Sequence, residues 1–375
     1  MSVVPLDGVP RDYAWGSHRV IQRLLGLPED GQPIAELWFG AHPHDPSPAG
    51  QRTLDALIEA DPEGLLGART VARFGPHLPY LVKILAADRP LSMQVHPTRE
   101  QAGDGCARED AAGIARDADK RNYRDANHKP ELLCALTPFE ALCGFRPVTD
   151  TLRLLDALRL PALIPVAELL GRPAGLRAAF TALLRDPDPA SVADAVADAV
   201  GRLPDEWAGP AQAVRQCAQA FPGDVGVVLA LLLNHVVLEP GEAIYLGAGS
   251  VHAYLGGTGV EIMANSDNVL RCGLTAKHIN IPELLKITDF SPLAEPRWPS
   301  LRGRFDVPIP DFALTRLEID EPVGLDDPGP CIVLCTAGQV TVADVGARAG
   351  HAVFVPPGQA VTISGAGLAF VASTA

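Results

Sequence analysis

The chain has 375 residues, with 31 Lys and Arg against 45 Asp and Glu, a formal charge of −14, and 47% hydrophobic residues. That length exceeds one ordinary core and predicts two or three domains. The acidic balance argues against a nucleic-acid surface, which needs a basic face to neutralise phosphate.

Seven scattered cysteines with no Cys-x-x-Cys pair read as reduced thiols, not a disulfide framework. The N-terminus shows no basic start followed by an apolar run, so no secretory signal is expected. The longest apolar stretch, residues 225–238, is interrupted by Asn234 and His235 and falls short of the ~20 residues a membrane span needs. A cytoplasmic protein without a membrane partner is the expectation.

Residues 1–50 carry little helical periodicity and end in HPHDPSPAG, a loop. His42 and His44 stand beside prolines there and read as solvated or structural instead of metal-binding. Residues 53–74 turn helical, with Asp61-Pro62 marking a new helix start. YLVKILAA is a strand with Lys83 in an apolar run, either snorkelling from an edge or directed into a pocket.

In PLSMQVHP, residues 90–97, Gln94 and His96 are two apart among strand-forming neighbours and leave the same face. That is half a metal site. Residues 101–127, small, charged and Gly-bearing, read as a surface excursion. In HKPE, Lys129 and Glu131 share a face while His128 points the other way, and HKPELLCALTPFEALCGFRP gives two strands broken at Thr137-Pro138.

Residues 149–222 change to Ala, Leu, Arg and Asp in amphipathic segments, an α-helical insertion whose last long helix has Ser191 as its expected N-cap. Strands resume near Val236, and SVHAY places His252 on a short strand ending at a Gly256-Gly257 turn. Gln94, His96, Glu131 and His252 together make an N/O metal site. Without Gln94 they are the 2-His-1-carboxylate set of non-haem iron oxygenases, so the ligands alone leave two chemistries open.

PELLK, residues 282–286, reads as a short helix, and the β-rich tail beyond it suggests a second jelly roll. That tail holds a lone His351, too few donors for a second site, and Cys331 and Cys335 lie in an apolar run that reads as core.

The motifs Tyr13-Ala-Trp-Gly16, Ala35-Glu-Leu-Trp38, Gly40-Ala-His-Pro43, PLSMQVHP, HKPELLCAL, ALCGFRP, HAYLGG and EIMANSDNVLRCGLTAK run in order along three quarters of the chain. In these the chain resembles type I mannose-6-phosphate isomerases, zinc enzymes of the cupin superfamily. The resemblance implies a mainly β double cupin, or jelly-roll, fold with a helical insertion. Its parts would be residues 1–148 and 223–280 for the catalytic cupin, 149–222 for the insertion, and 281–375 for a jelly roll without metal.

It also implies one Zn2+ on Gln94, His96, Glu131 and His252, and aldose–ketose isomerisation through an enediol. Arg271 and Lys129 would be catalytic, and Lys83, Glu36, Trp15, Asp267 and Lys277 would bind a small sugar phosphate. Asp267, four residues before Arg271, could orient it or cap a loop. Val251 and Ala276 stand where many relatives have Pro, which bears on loop rigidity and removes no functional group. The oligomeric expectation is a monomer or homodimer. Two rivals stay open: an isomerase of another sugar or sugar phosphate, and a non-catalytic, sugar-binding metal cupin.

Overall fold

The computed structural model describes residues 3–327 and 329–375. Its larger, 11-stranded sheet is built around one 13-residue strand, His252–Ala264. The first few residues of that strand pair with Phe139–Phe145 and, at His252, with Gln94; the remainder pairs with Tyr80–Ala87 and Glu131–Ala135. A register shift between Tyr254 and Gly256 marks the change of partners. The expected Gly256-Gly257 turn is therefore a bend inside a continuous strand. Gly257 has φ +118, and a Cβ there would lie 2.7 Å from the Pro138 carbonyl oxygen, so the bend needs glycine.

The two-sided pairing makes a jelly roll from antiparallel strands, as the alternating segments in the sequence required. The strands expected at YLVKILAA, ELLCA and FEALCGF form at Tyr80–Ala87, Glu131–Ala135 and Phe139–Phe145. The helices expected over residues 53–74 form at Leu54–Ala60, Pro62–Leu66 and Ala68–Phe74, with the Asp61 side chain capping the second.

Residues 101–127 are only in part the surface excursion their composition suggested: residues 111–120 are exposed or half-buried, but the stretch before them is packed. Arg99–Ala111 is a helix opened by a Thr98/Gln101 capping box, and it buries Ala102, Gly105 and Cys106. Gly105 has no room for a side chain, because a Cβ would meet the Tyr123 ring at 2.3 Å. Small residues thus mark close packing here.

The helices at Val148–Leu158, Ile164–Leu170, Gly175–Leu184, Pro189–Ala199 and Ala208–Ala220 share one core with Met93, Val95, Leu142 and Phe145 of the jelly roll. Asp188, not Ser191, caps the Pro189–Ala199 helix, accepting from the Ser191 backbone N–H. Asp before Pro at the first helical position outcompetes the later serine.

The tail forms an eight-stranded antiparallel sheet, which the N-terminal strand Val4–Leu6 joins by pairing with His351–Val355. Its VTIS and LAFVAS segments are one strand, Val361–Ser373, bending at Gly365 with φ +116. Leu314, Ile332, Phe354 and Phe370 of this sheet meet Leu37, Val82, Ile84 and Ile262 of the larger sheet in a common core. Cys331 and Cys335 are buried in the tail's other cluster, as their apolar run predicted. No helix of the described residues is long and apolar enough to cross a membrane.

Candidate metal centre and active-site cavity

His96 follows the Met93–Val95 strand, Glu131 opens the Glu131–Ala135 strand, and His252 opens the long bent strand. All three are buried. Each imidazole Nε2 lies 3.5 Å from Glu131 Oε2, and the two ring centroids are 5.1 Å apart.

The tautomers follow from the other ring nitrogens. His96 Nδ1 is 2.7 Å from the Asn268 carbonyl, and His252 Nδ1 is 3.0 Å from the Ser250 carbonyl. Each Nδ1 therefore carries the proton, and each Nε2 presents a lone pair towards Glu131. Both Nε2 atoms are buried without a hydrogen-bond partner, a cost that a cation would remove. Gln94 pairs with His252 on one side and Arg271 on the other, and lines the adjoining cavity. The donor atoms of His96, Glu131 and His252 lie within 4.8 Å of one another, and two imidazoles with one carboxylate fit zinc.

The electrostatics agree. Burial pushes the His96 ring down to about 4, against the pull of Glu131, so it is neutral at physiological pH. Burial alone would raise the Glu131 carboxyl, but Lys129, whose Nζ is 3.0 Å away, and the two imidazoles hold it well below the usual carboxylate range. As HKPE implied, His128 turns away, to Asp311 at 3.0 Å.

The centre adjoins a cavity of about 1540 Å³ lined by Trp15, Glu36, Lys83, Gln94, Lys129, Asp267, Arg271 and Lys277 among others. Every predicted substrate-binding and catalytic residue thus reaches one space. Lys83 is directed inward rather than snorkelling. Its Nζ lies 3.3 Å from Glu36 and 3.1 Å from Glu261, and 5.2 Å from the Trp38 ring centroid. Burial alone would lower this ammonium, but Glu36 and Glu261 carry it above its ordinary value. The carboxylates are themselves held, Glu36 by Trp38 Nε1 and Glu261 by the Tyr254 hydroxyl, each at 2.7 Å.

Asp267 neither orients Arg271 nor simply caps a loop. Its carboxylate lies 3.1 Å from His44 Nδ1 and 3.8 Å from His42 Nε2, and its backbone N–H donates to Asp125. His42 therefore belongs to the cavity wall beside Asp267, while His44 holds Asp267 from the exposed side. His42 Nδ1 accepts from the His44 backbone N–H, which leaves the proton on Nε2. That is the opposite tautomer to the two buried site histidines, and it suits a hydrogen-bond donor better than a ligand.

Sequence reasoning passed over Arg124, Glu261 and Asn268. Arg124 lines the cavity near Arg271 and Lys277; Arg271 is lowered by burial and by Arg124, and Lys277 by Arg271, burial and Arg124. This is a local excess of positive charge in an acidic chain. Asn268 accepts from the Arg124 backbone N–H through Oδ1 and donates through Nδ2 to the Asp125 and Asn127 carbonyls. Its own carbonyl is the one that fixes His96. The Thr98-x-x-Gln101 capping box was the available signal that residues 99–127 are ordered.

Residues 3–148 match the family described as phosphomannose isomerase type I, catalytic domain. Across 377 aligned residues the chain is 38% identical to the mannose-6-phosphate isomerase of Escherichia coli (strain K12), covering 95% of this chain and 96% of the relative. The chain belongs to the mannose-6-phosphate isomerase family. The human member is 32% identical over 84% of this chain and 82% of its own length. A crystal structure of the Salmonella typhimurium family member bound to substrate and zinc superposes with a TM-score of 0.91 at 35% identity, covering 100% of both chains.

Proposed function

We propose that this chain is a zinc-dependent aldose–ketose isomerase that interconverts mannose 6-phosphate and fructose 6-phosphate. The observation carrying the reading is the pair of orphaned, buried Nε2 atoms converging on Glu131 beside a cavity with a local cationic excess. His96, Glu131 and His252, with Gln94 beside them, would hold the zinc. Bound there, it would supply Lewis-acid stabilisation of charge on the sugar oxygens.

The chain's own residues divide the remaining work. Isomerisation moves a proton between the first two sugar carbons through an enediol, so the site must move protons and stabilise oxygen charge. Lys129, 3.0 Å from Glu131 on the cavity wall, would be the group that exchanges a proton. Arg271 offers a planar, permanently charged fork to an enediolate or phosphate oxygen. Lys83, fixed between Glu36 and Glu261, is a standing cation rather than a base. Arg124 and Lys277 extend the charge of Arg271 towards a phosphate, while Trp15, Glu36 and Asp267 form the walls.

The seven cysteines are free and buried, which suits a reducing cytoplasmic setting. The chain would work as a monomer or homodimer without nucleic acid or membrane. Ketose formation from mannose 6-phosphate tests the function, with free mannose as the comparison. The phosphate's remote binding energy should make the phosphorylated sugar far the better substrate. Comparable specificity constants would move the activity to neutral sugars, and no turnover of either, with sugar bound, would make this a binding protein.

A further inference from the structure

The tail contributes a buried carboxylate to contacts with the jelly roll that carries the metal centre. Asp311, two residues before the Ala313–Ile319 strand, is fully buried. Its Oδ1 accepts from Arg99 Nη2 at 2.8 Å and lies 3.0 Å from His128 Nε2. Its Oδ2 is buried with no hydrogen-bond partner. Arg99 is three residues beyond His96 and starts the capped helix Arg99–Ala111; His128 is three residues before Glu131. A single carboxylate from the tail therefore grips the chain just past one metal-site residue and just ahead of another.

We infer that Asp311 is a positioning residue for the metal centre, fixing the segments that carry His96 and Glu131 relative to each other. A buried carboxylate paired with the Arg99 guanidinium, which itself lies 2.8 Å from His128 Nε2, resists displacement, because separating them leaves a buried charge unpaired. Asn268 already links the two segments from inside the jelly roll, through the His96 ring and the Asn127 carbonyl, and Asp311 adds a second tie from the tail. Tyr80 is the useful contrast. Its buried hydroxyl also ties the larger sheet to the tail, within hydrogen-bond reach of the Pro330 and Ala372 carbonyls, but well before His96 in sequence and on no segment that carries a metal-site residue. The tail thus has two kinds of attachment, one general and one aimed at the metal site.

The inference rests on the zinc site proposed above, and the test separates the two. The chain is loaded with Co2+ in place of zinc, and its visible d–d spectrum and the rate of metal loss to a chelator are recorded for wild type, Asp311→Asn, Arg99→Ala and Tyr80→Phe. Asp311→Asn should release metal roughly tenfold faster, at the lower end of losses seen for outer-shell partners of metal sites, with an altered spectrum. Arg99→Ala, which removes a half-exposed guanidinium and threatens folding less, should shift both in the same direction by a smaller factor. Tyr80→Phe should lower the melting temperature with spectrum and release unchanged. If both clamp variants release metal as wild type does, or if Tyr80→Phe matches them, the positioning role is wrong. If wild type itself binds no Co2+ or Zn2+, the site reading fails first.

Discussion

Two antiparallel sheets of the same general build lie against each other here, and they differ in what they bury. The tail sheet's own cluster is Val333, Val340, Val342, Val353, Val355, Ile363 and their like, with two thiols. The catalytic sheet instead buries Glu36, Lys83, His96, Glu131, His252 and Glu261. Hydrophobic burial suffices to make such a sheet, as the tail demonstrates. The ionisable groups on the other are a cost to stability, offset by pairing each charge with a partner and by the cation that two orphaned nitrogens await. Function is located where the fold departs from the cheaper solution.

The largest test of that contrast is to remove a histidine from each sheet. His252→Ala should lower activity by more than about a hundredfold, since losses of 10- to 100-fold already attend outer-shell partners. It should also lower zinc content by elemental analysis. His351→Ala, in the tail, should change neither. Equal effects would erase the distinction between the sheets.

Stability should divide the same way. Lys83→Ala strands Glu36 and Glu261 against each other in a buried site, and should cost about 3–5 kcal/mol in urea unfolding. Ile332→Val in the core between the sheets should cost only about 0.5–1.5 kcal/mol. A Lys83 variant as stable as Ile332→Val would show that the network is not a paired, buried charge set.

Within the cavity, Arg271→Lys keeps the charge and loses the planar fork. It should reduce kcat by about tenfold, or roughly 1.4 kcal/mol of barrier, with zinc retained. A rise in KM alone would make Arg271 a ground-state binding residue and pass the chemical role to Lys129.

A pH dependence tests the cavity wall. Burial pushes His42 down to about 4 despite Asp267, so the unfolded chain binds the extra proton first as pH falls. Its contribution is complete above the unfolded value near 6.5 and is lost as pH falls towards 4. His42→Gln should therefore flatten the fall of the urea midpoint between about pH 6 and 4, by up to about 1.4 kcal/mol per pH unit. An unchanged slope would mean that His42 is not held neutral.

Much of this site was legible because its donors sit in short strands with readable alternation. Lys129 and Glu131 share a face while His128 does not, and the structure honours that spacing. The cavity-lining set followed from motifs that the family keeps in order. What the sequence hid is what depends on distant pairing. Glu261 meets Lys83 only because Tyr80–Ala87 and His252–Ala264 are neighbouring strands. Asp267 finds His42 and His44, over 200 residues earlier, in preference to the arginine four residues away. Arg124 was lost inside a stretch whose small residues pack a helix against Tyr123 but resemble a solvated loop. The Gly256-Gly257 pair looked like a turn because a bend between two sheet faces uses the same residues.

The central claim is that the buried donors hold the metal on which turnover depends. The direct measurement is isomerisation of mannose 6-phosphate by the whole chain, before chelation, after removal of metal verified by elemental analysis, and after stoichiometric zinc is returned. Activity should disappear with the metal and recover at one zinc per chain. Metal-free protein that still converts mannose 6-phosphate at the original rate would contradict it.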